Sequence, residues 1–267
     1  MAQLRIIHYK IRRKKSLLEG GRPFRMAMLA DLHNSPIAQE GGLLRRQLAR
    51  LAPDVVLCCG DMLTAKFGKA HTDMALSLLQ ELTKEAPVYY VNGNHETRLS
   101  QFPLQYPERE REYFRELARM GVHLLNNAST PVTIAGNRFV IAGFEVPLSF
   151  YKRVGSPKPE DTLLEEALGE ASEEDYTVLL SHHPDFFEAC SAWGADLVLS
   201  GHLHGGMVRL PLAGGVVGAS LKPFPKYDRG KFELPGAGTM IVSGGLGDHT
   251  IPLRLHNPPE LVMLECI

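Results

Sequence analysis

Side chains able to bind cations fall into five short clusters: Asp31-Leu32-His33, Gly60-Asp61, Gly93-Asn94-His95-Glu96, His182-His183 and Gly201-His202-Leu203-His204. Each stands at the end of an apolar run or in a glycine-rich turn. One such cluster is an ordinary polar turn. Five in order describe a site assembled from the carboxyl ends of several strands. The mixture of carboxylate, amide oxygen and imidazole suits divalent ions of hard to borderline character, not a cysteine-rich structural zinc site. Two such ions held close together are a recurring device for phosphoester hydrolysis.

Spacing suggests how each cluster is used. Asp31 and His33 are one residue apart, so in continued extended backbone they point to one side and can grip one ion together. His202 and His204 repeat that spacing and can face the opposite ion. Asp61 follows a buried apolar run; its two oxygens can bridge two cations, although a helix N-cap is an equally ordinary use of aspartate. Asn94 offers a neutral carbonyl oxygen, and Gly93 permits a sharp turn before it. His95 can stand beside the ions without binding them, donating a proton to a leaving oxygen or stabilising the phosphoryl group. Four histidines between 182 and 204 are too concentrated for scattered polar surface.

Elements must hold these clusters in place. Apolar runs predict strands over residues 4–11, 24–30, 54–59, 88–91, 177–180 and 197–199, five of them closing on or just before a cluster. Helical spacing predicts helices over 42–51, 71–85, 106–120, 163–168 and 185–192. A turn region spans 14–21. Residues 131–134 and 138–142 pattern as a hairpin around Gly136-Asn137, and short extended pieces follow at 122–125, 207–210, 240–243 and 261–264. Strand–helix alternation followed by a strand-rich tail predicts an α/β protein. The expected architecture is a four-layer αββα sandwich, two mixed sheets flanked by helices, in a single domain over 1–267.

Composition narrows the function. The 267 residues are 44% hydrophobic and 22% charged, enough to bury a core. A net charge of -1 argues against bulk nucleic acid as a partner. Arg5, Lys10, Arg12, Arg13, Lys14 and Lys15 make the N-terminus basic, which fits either a solvated strand end or peripheral contact with anionic membrane. No apolar run approaches the ~20 residues of a membrane span, and no signal-peptide core follows Met1. Cys58, Cys59, Cys190 and Cys266 form no disulfide pattern. The expected location is cytoplasmic.

In this order D-x-H, G-D, G-N-H-E, H and G-H-x-H resemble the calcineurin-like metallophosphoesterases. The resemblance spans Asp31 to His204. It extends to a bacterial branch that includes membrane-associated phosphoesterases, through G-H-L-H-G-G, Gly245-Leu246-Gly247 and residues 252–260; Leu203 and Met207 stand where that branch has threonine and glutamine. The resemblance implies that Asp31, His33 and His204 bind a first metal, that Asn94, His182 and His202 bind a second, and that Asp61 bridges them. His95 is then the catalytic histidine, and His182 rather than His183 the ligand. It implies two divalent ions, manganese, iron or zinc, and attack on phosphorus by a water or hydroxide held between them. The expected substrate is a phosphodiester or pyrophosphate of a small molecule, nucleotide or lipid headgroup, contacted from rims at 97–120 and 144–151. A nuclease, a cyclic-nucleotide phosphodiesterase and a non-catalytic metal-binding scaffold are the alternatives.

Overall fold

Two six-stranded sheets stand face to face in the computed structural model. It describes residues 4–12, 21–152, 155–160, 162–206, 209–210, 214–215, 225–235, 238–248, 254 and 256–267. The first sheet has the order β1 (Arg5–Ile11), β16 (Glu260–Cys266), β2 (Phe24–Leu29), β3 (Val55–Cys59), β6 (Val88–Val91) and β7 (His123–Leu124). The second has the order β14 (Gly230–Glu233), β15 (Thr239–Val242), β11 (Leu197–Ser200), β10 (Thr177–Ser181), β9 (Asn137–Phe144) and β8 (Ala128–Ile134). Two hairpins stand apart, β4 (Thr64–Lys66) with β5 (Lys69–His71) and β12 (Arg209–Leu210) with β13 (Gly214–Gly215). Both large sheets are mixed, as the strand pattern predicts.

The layers follow from side-chain alternation. Val-Val-Leu-Cys-Cys in β3 is buried at every position, the signature of a central parallel strand covered on both faces. Val55, Leu57 and Cys59 pack between the sheets against Val178, Leu180, Leu197 and Leu199. Val56 and Cys58 face outward into helices α1 (Leu43–Leu51), α2 (Asp73–Leu82) and α5 (Tyr113–Arg119). On the far side Leu179, Val198 and Val242 pack against α6 (Thr162–Leu168) and α7 (Phe187–Trp193). The result is the expected αββα order. Burial holds these short helices: α1 has no side-chain cap at Gly42, and nine residues are too few to be helical alone. Leu44 and Leu48 are buried, each worth about 1.5–3 kcal/mol.

Local chemistry sets the remaining boundaries. Ala135 and Gly136 both have positive φ (51° and 80°), so the expected β8–β9 hairpin closes through a two-residue turn matched to strand twist. Pro131 is tolerated because β8 is an edge strand. Two expectations fail. The helix predicted over 106–120 is two pieces, α4 (Glu108–Arg111) and α5, meeting at Glu112. Gly93-Asn94-His95-Glu96 is not a bare turn but the start of helix α3 (Asn94–Gln101). The turn region predicted at 14–21 lies outside the described residues except for Gly21, and of the extended piece predicted at 207–210 the described part, Arg209–Leu210, is strand β12.

The strand directions define two poles. β2, β3 and β6 run parallel, as do β10 and β11, and all end at one pole with the metal-seeking clusters. β16 runs antiparallel to β2 and parallel to β1, so Ile11 and Arg12 emerge at the opposite pole.

Candidate metal centre

At the strand ends the backbone departs from extended geometry. Asp31, His33, Asp61, His202 and His204 all have positive φ, between 48° and 71°. That conformation is uncommon for non-glycine residues and clusters at functional sites. It also corrects the same-side argument: Asp31/His33 and His202/His204 do not converge as alternate residues of a strand, because each pair lies in left-handed turns. Hydrogen bonds stabilise these turns. The amides of Asp31, His33 and Asn34 donate to the carbonyls of Gly60, Asp61 and Met62, each at 3.0 Å, so the two loops remain paired beyond the ends of β2 and β3. Gly60 has φ 84°, and a Cβ there would sit 2.6 Å from the backbone of Gly93. Only glycine permits that approach.

Two carboxylate oxygens form the centre. Asp61 Oδ1 accepts the His95 amide at 2.9 Å, while Oδ2 lies 3.2 Å from His182 Nε2, 3.7 Å from His33 Nε2 and 4.0 Å from His95 Nε2. Asp31 is held by the His202 amide at 3.0 Å, and its Oδ1 lies 3.5 Å from His204 Nε2, 3.7 Å from His182 Nε2 and 4.0 Å from His33 Nε2. The Nε2 atoms of His33 and His204 are 3.0 Å apart. Three overlapping groups have donor atoms within 4.8 Å of one another: Asp31/His33/His204, His33/Asp61/His95 and Asp61/His182/His202.

His182 and His183 have different surroundings. His182 Nδ1 lies 2.6 Å from the Cys59 carbonyl, which fixes the ring and leaves Nε2 directed at the carboxylates. His183 Nδ1 instead accepts the Asp185 amide at 3.3 Å and caps a short turn. His182 Nε2 is buried against the Asp61 and Asp31 carboxylates, and Asn94 Oδ1 is buried with no hydrogen-bond partner among the described residues. Buried polar atoms without a partner are rare; an amide oxygen and, once deprotonated, an imidazole nitrogen are lone-pair donors of the type a divalent ion takes.

The electrostatics are those of crowded charge. Burial pushes the Asp31 carboxyl up to about 7, against the pull of His182. Burial also disfavours the Asp61 carboxylate, but His182, His95 and His33 hold it well below the usual range. Burial works against protonation of His182, yet Asp61 and Asp31 raise it to about 9. His95 is lowered by burial, with Arg98 adding to the effect and Asp61 opposing it.

Several supports have no role assigned by the cluster pattern. Buried Glu96 accepts from the amides of Asp61 and Met62, both at 2.8 Å, Leu63 and Gly93, both at 3.1 Å, and from the Tyr90 hydroxyl at 2.7 Å. Its place three residues after Gly93 is the one readable sign of that role, a capping position. The β4–β5 hairpin places Ala65 N and O each 2.8 Å from His95 Nδ1. Asn257 Nδ2 donates to the carbonyls of His204 and Gly206, fastening the G-H-L-H-G-G turn from the chain's tail.

Comparisons with known proteins agree with this geometry. The calcineurin-like phosphoesterase family pattern matches residues 24–206. An uncharacterized metallophosphoesterase of Aquifex aeolicus is 30% identical over 263 residues, covering 98% of this chain and 91% of that protein. Phosphodiesterase YaeI of Escherichia coli is 27% identical over 254 residues, covering 92% and 83%. The crystal structure of TT1561 of Thermus thermophilus superposes with a TM-score of 0.51 at 14% identity, covering 84% and 90%, a likeness of fold. With more than half its length matched by that pattern, the chain belongs to the calcineurin-like phosphoesterases and is a hydrolase of phosphoric esters.

Proposed function

We propose that the protein hydrolyses a phosphodiester or pyrophosphate bond of a small molecule, nucleotide or lipid headgroup with the help of two divalent ions. Asp31, His33 and His204 would hold one ion; Asn94, His182 and His202 would hold the other, with Asp61 shared. The observation that carries this reading is the convergence of imidazole nitrogens on Asp31 Oδ1 and Asp61 Oδ2, beside the buried Asn94 Oδ1, which has no partner among the described residues. A nitrogen and oxygen donor set without sulfur suits manganese, iron or zinc. When bound, such ions supply Lewis acidity to phosphoryl oxygens and bring the pKa of water toward neutrality.

The chain's own groups complete the chemistry. Arg98 Nη1 donates to the Ala65 carbonyl at 2.8 Å, and the Ala65 amide donates to His95 Nδ1 in the tautomer whose Nδ1 carries no proton. That tautomer carries its proton on Nε2, the nitrogen facing Asp61. His95 can therefore give a hydrogen bond to the departing oxygen. Burial lowers its pKa, which favours a neutral donor over a competing cation.

The buried free thiols of Cys58, Cys59 and Cys190 support a reducing, cytoplasmic compartment. No helix among the described residues is long and apolar enough to cross a membrane. Of the basic N-terminal residues, Lys10 and Arg12 lie toward the pole opposite the centre and Arg5 at the near pole, while Arg13, Lys14 and Lys15 lie outside the described residues.

The test is turnover of a chromogenic phosphodiester by Asp61→Ala and His95→Ala proteins. Both are expected to lose about a hundredfold or more in kcat. Wild-type turnover by pure Asp61→Ala protein refutes the assignment.

A further inference from the structure

Beyond the proposed ligands and His95, a buried polar group beside the centre lacks a hydrogen-bond partner among the described residues. Tyr151 closes the short turn Leu148–Tyr151 that follows the carboxyl end of β9. Its ring lies 4.9 Å from that of His202, edge-on at 76°, and 5.1 Å and 6.1 Å from the rings of His183 and His182. Its hydroxyl is buried and has no hydrogen-bond partner among the described residues. A buried hydroxyl in that state calls for an explanation, and a bound ligand that accepts its proton is a direct one. A neutral phenol hydroxyl can act as a hydrogen-bond donor. Phosphoryl oxygens accept only, and their charge strengthens the bond they receive.

We propose that the Tyr151 hydroxyl donates a hydrogen bond to a nonbridging phosphoryl oxygen of the bound ester, on the side of the centre lined by His182 and His202. The inference rests on the hydrolase reading of that centre and adds a substrate contact to it. It separates two roles in space. His95 packs against His33, with ring centroids 4.9 Å apart, whereas Tyr151 packs against His202. His95 serves the leaving oxygen, and Tyr151 steadies an oxygen that stays on phosphorus.

Tyr151→Phe removes the hydroxyl and keeps the ring. The variant and wild type are loaded with manganese and compared on two phosphodiesters, one with a nitrophenyl and one with a phenyl leaving group. Binding of inorganic phosphate is measured alongside. The expected result is a fall in kcat/KM of about tenfold to a hundredfold, similar for both esters, with weaker phosphate binding and unchanged Tm and metal content. Wild-type kcat/KM and phosphate affinity in the variant overturn the proposal, as does a loss of activity that follows a loss of metal. Wild-type protein that holds metal but cleaves neither ester refutes the hydrolase reading instead; phosphate binding by the two proteins still tests the tyrosine.

Discussion

Asp61 and His182 carry the centre's opposing charges, and each depends on the other. Without metal, the His182 imidazolium lies against Asp61 with Nε2 3.2 Å from Oδ2. Because the folded-state pKa of His182 is raised from 6.5 to about 9, the pairing contributes stability fully below pH 6.5. That contribution is lost as pH rises toward and through 9. Asp31, raised from 3.8 to about 7 by burial, loses stability with rising pH over its own lower window. The Tm of metal-free protein should therefore fall from pH 6.5 to 9, followed by calorimetry; a rising Tm over that range contradicts the charge assignment. The same protonation makes metal loading release protons near pH 7.5, because a coordinating imidazole must be neutral. Titration calorimetry in two buffers of different ionisation enthalpy measures the release, and identical apparent enthalpies would show that none occurs.

At the scale of elements, loops and helix starts do the positioning. Glu96 holds the Asp61 loop and the first turn of α3 on one carboxylate. Glu96→Ala leaves four amides and the Tyr90 hydroxyl without that acceptor. It is expected to cost about 3 kcal/mol or more of unfolding free energy, measured by urea denaturation; a change under about 1 kcal/mol contradicts the role. This level is also where the sequence was legible only in part. Apolar runs ending in polar clusters locate β2, β3, β6, β10 and β11, because buried parallel strands must be continuously apolar. Their ends were harder to anticipate. Left-handed φ at Asp31, Asp61 and His204 is imposed by loop–loop hydrogen bonds between segments distant in sequence, so local spacing suggested a strand where turns occur. The hairpin Thr64–His71 has only Ala65 and Ala70 buried, too little apolar alternation to announce a strand. Helix α3 begins at a glycine with no capping side chain and shows itself only through Glu96.

On the scale of the molecule, the centre joins the two sheets. Asp31, Asp61, Asn94 and His95 follow strands of the first sheet; His182, His202 and His204 follow strands of the second. The amides of Leu246 and Gly247, beyond β15, donate to the carbonyls of Ala30 and Asp31 at 3.1 Å and 2.7 Å, stitching the same pole. Ions bound there would tie together ligands from both halves, so chelation should loosen the whole sandwich. Free metal at a hundred times its Kd stabilises a one-site protein by about 2.7 kcal/mol, or about 5–10 °C in Tm for a chain of this size. Thermal unfolding with and without chelator checks this, and equal midpoints contradict it.

The central claim is a shared pair of ion sites built on Asp61, and metal content per chain tests it most directly. After reconstitution with manganese and removal of free ion, elemental analysis of wild-type protein should find about two ions per chain, and Asp61→Ala protein should hold fewer. No ion or a single ion in the wild type, or an undiminished pair in Asp61→Ala, would contradict the account.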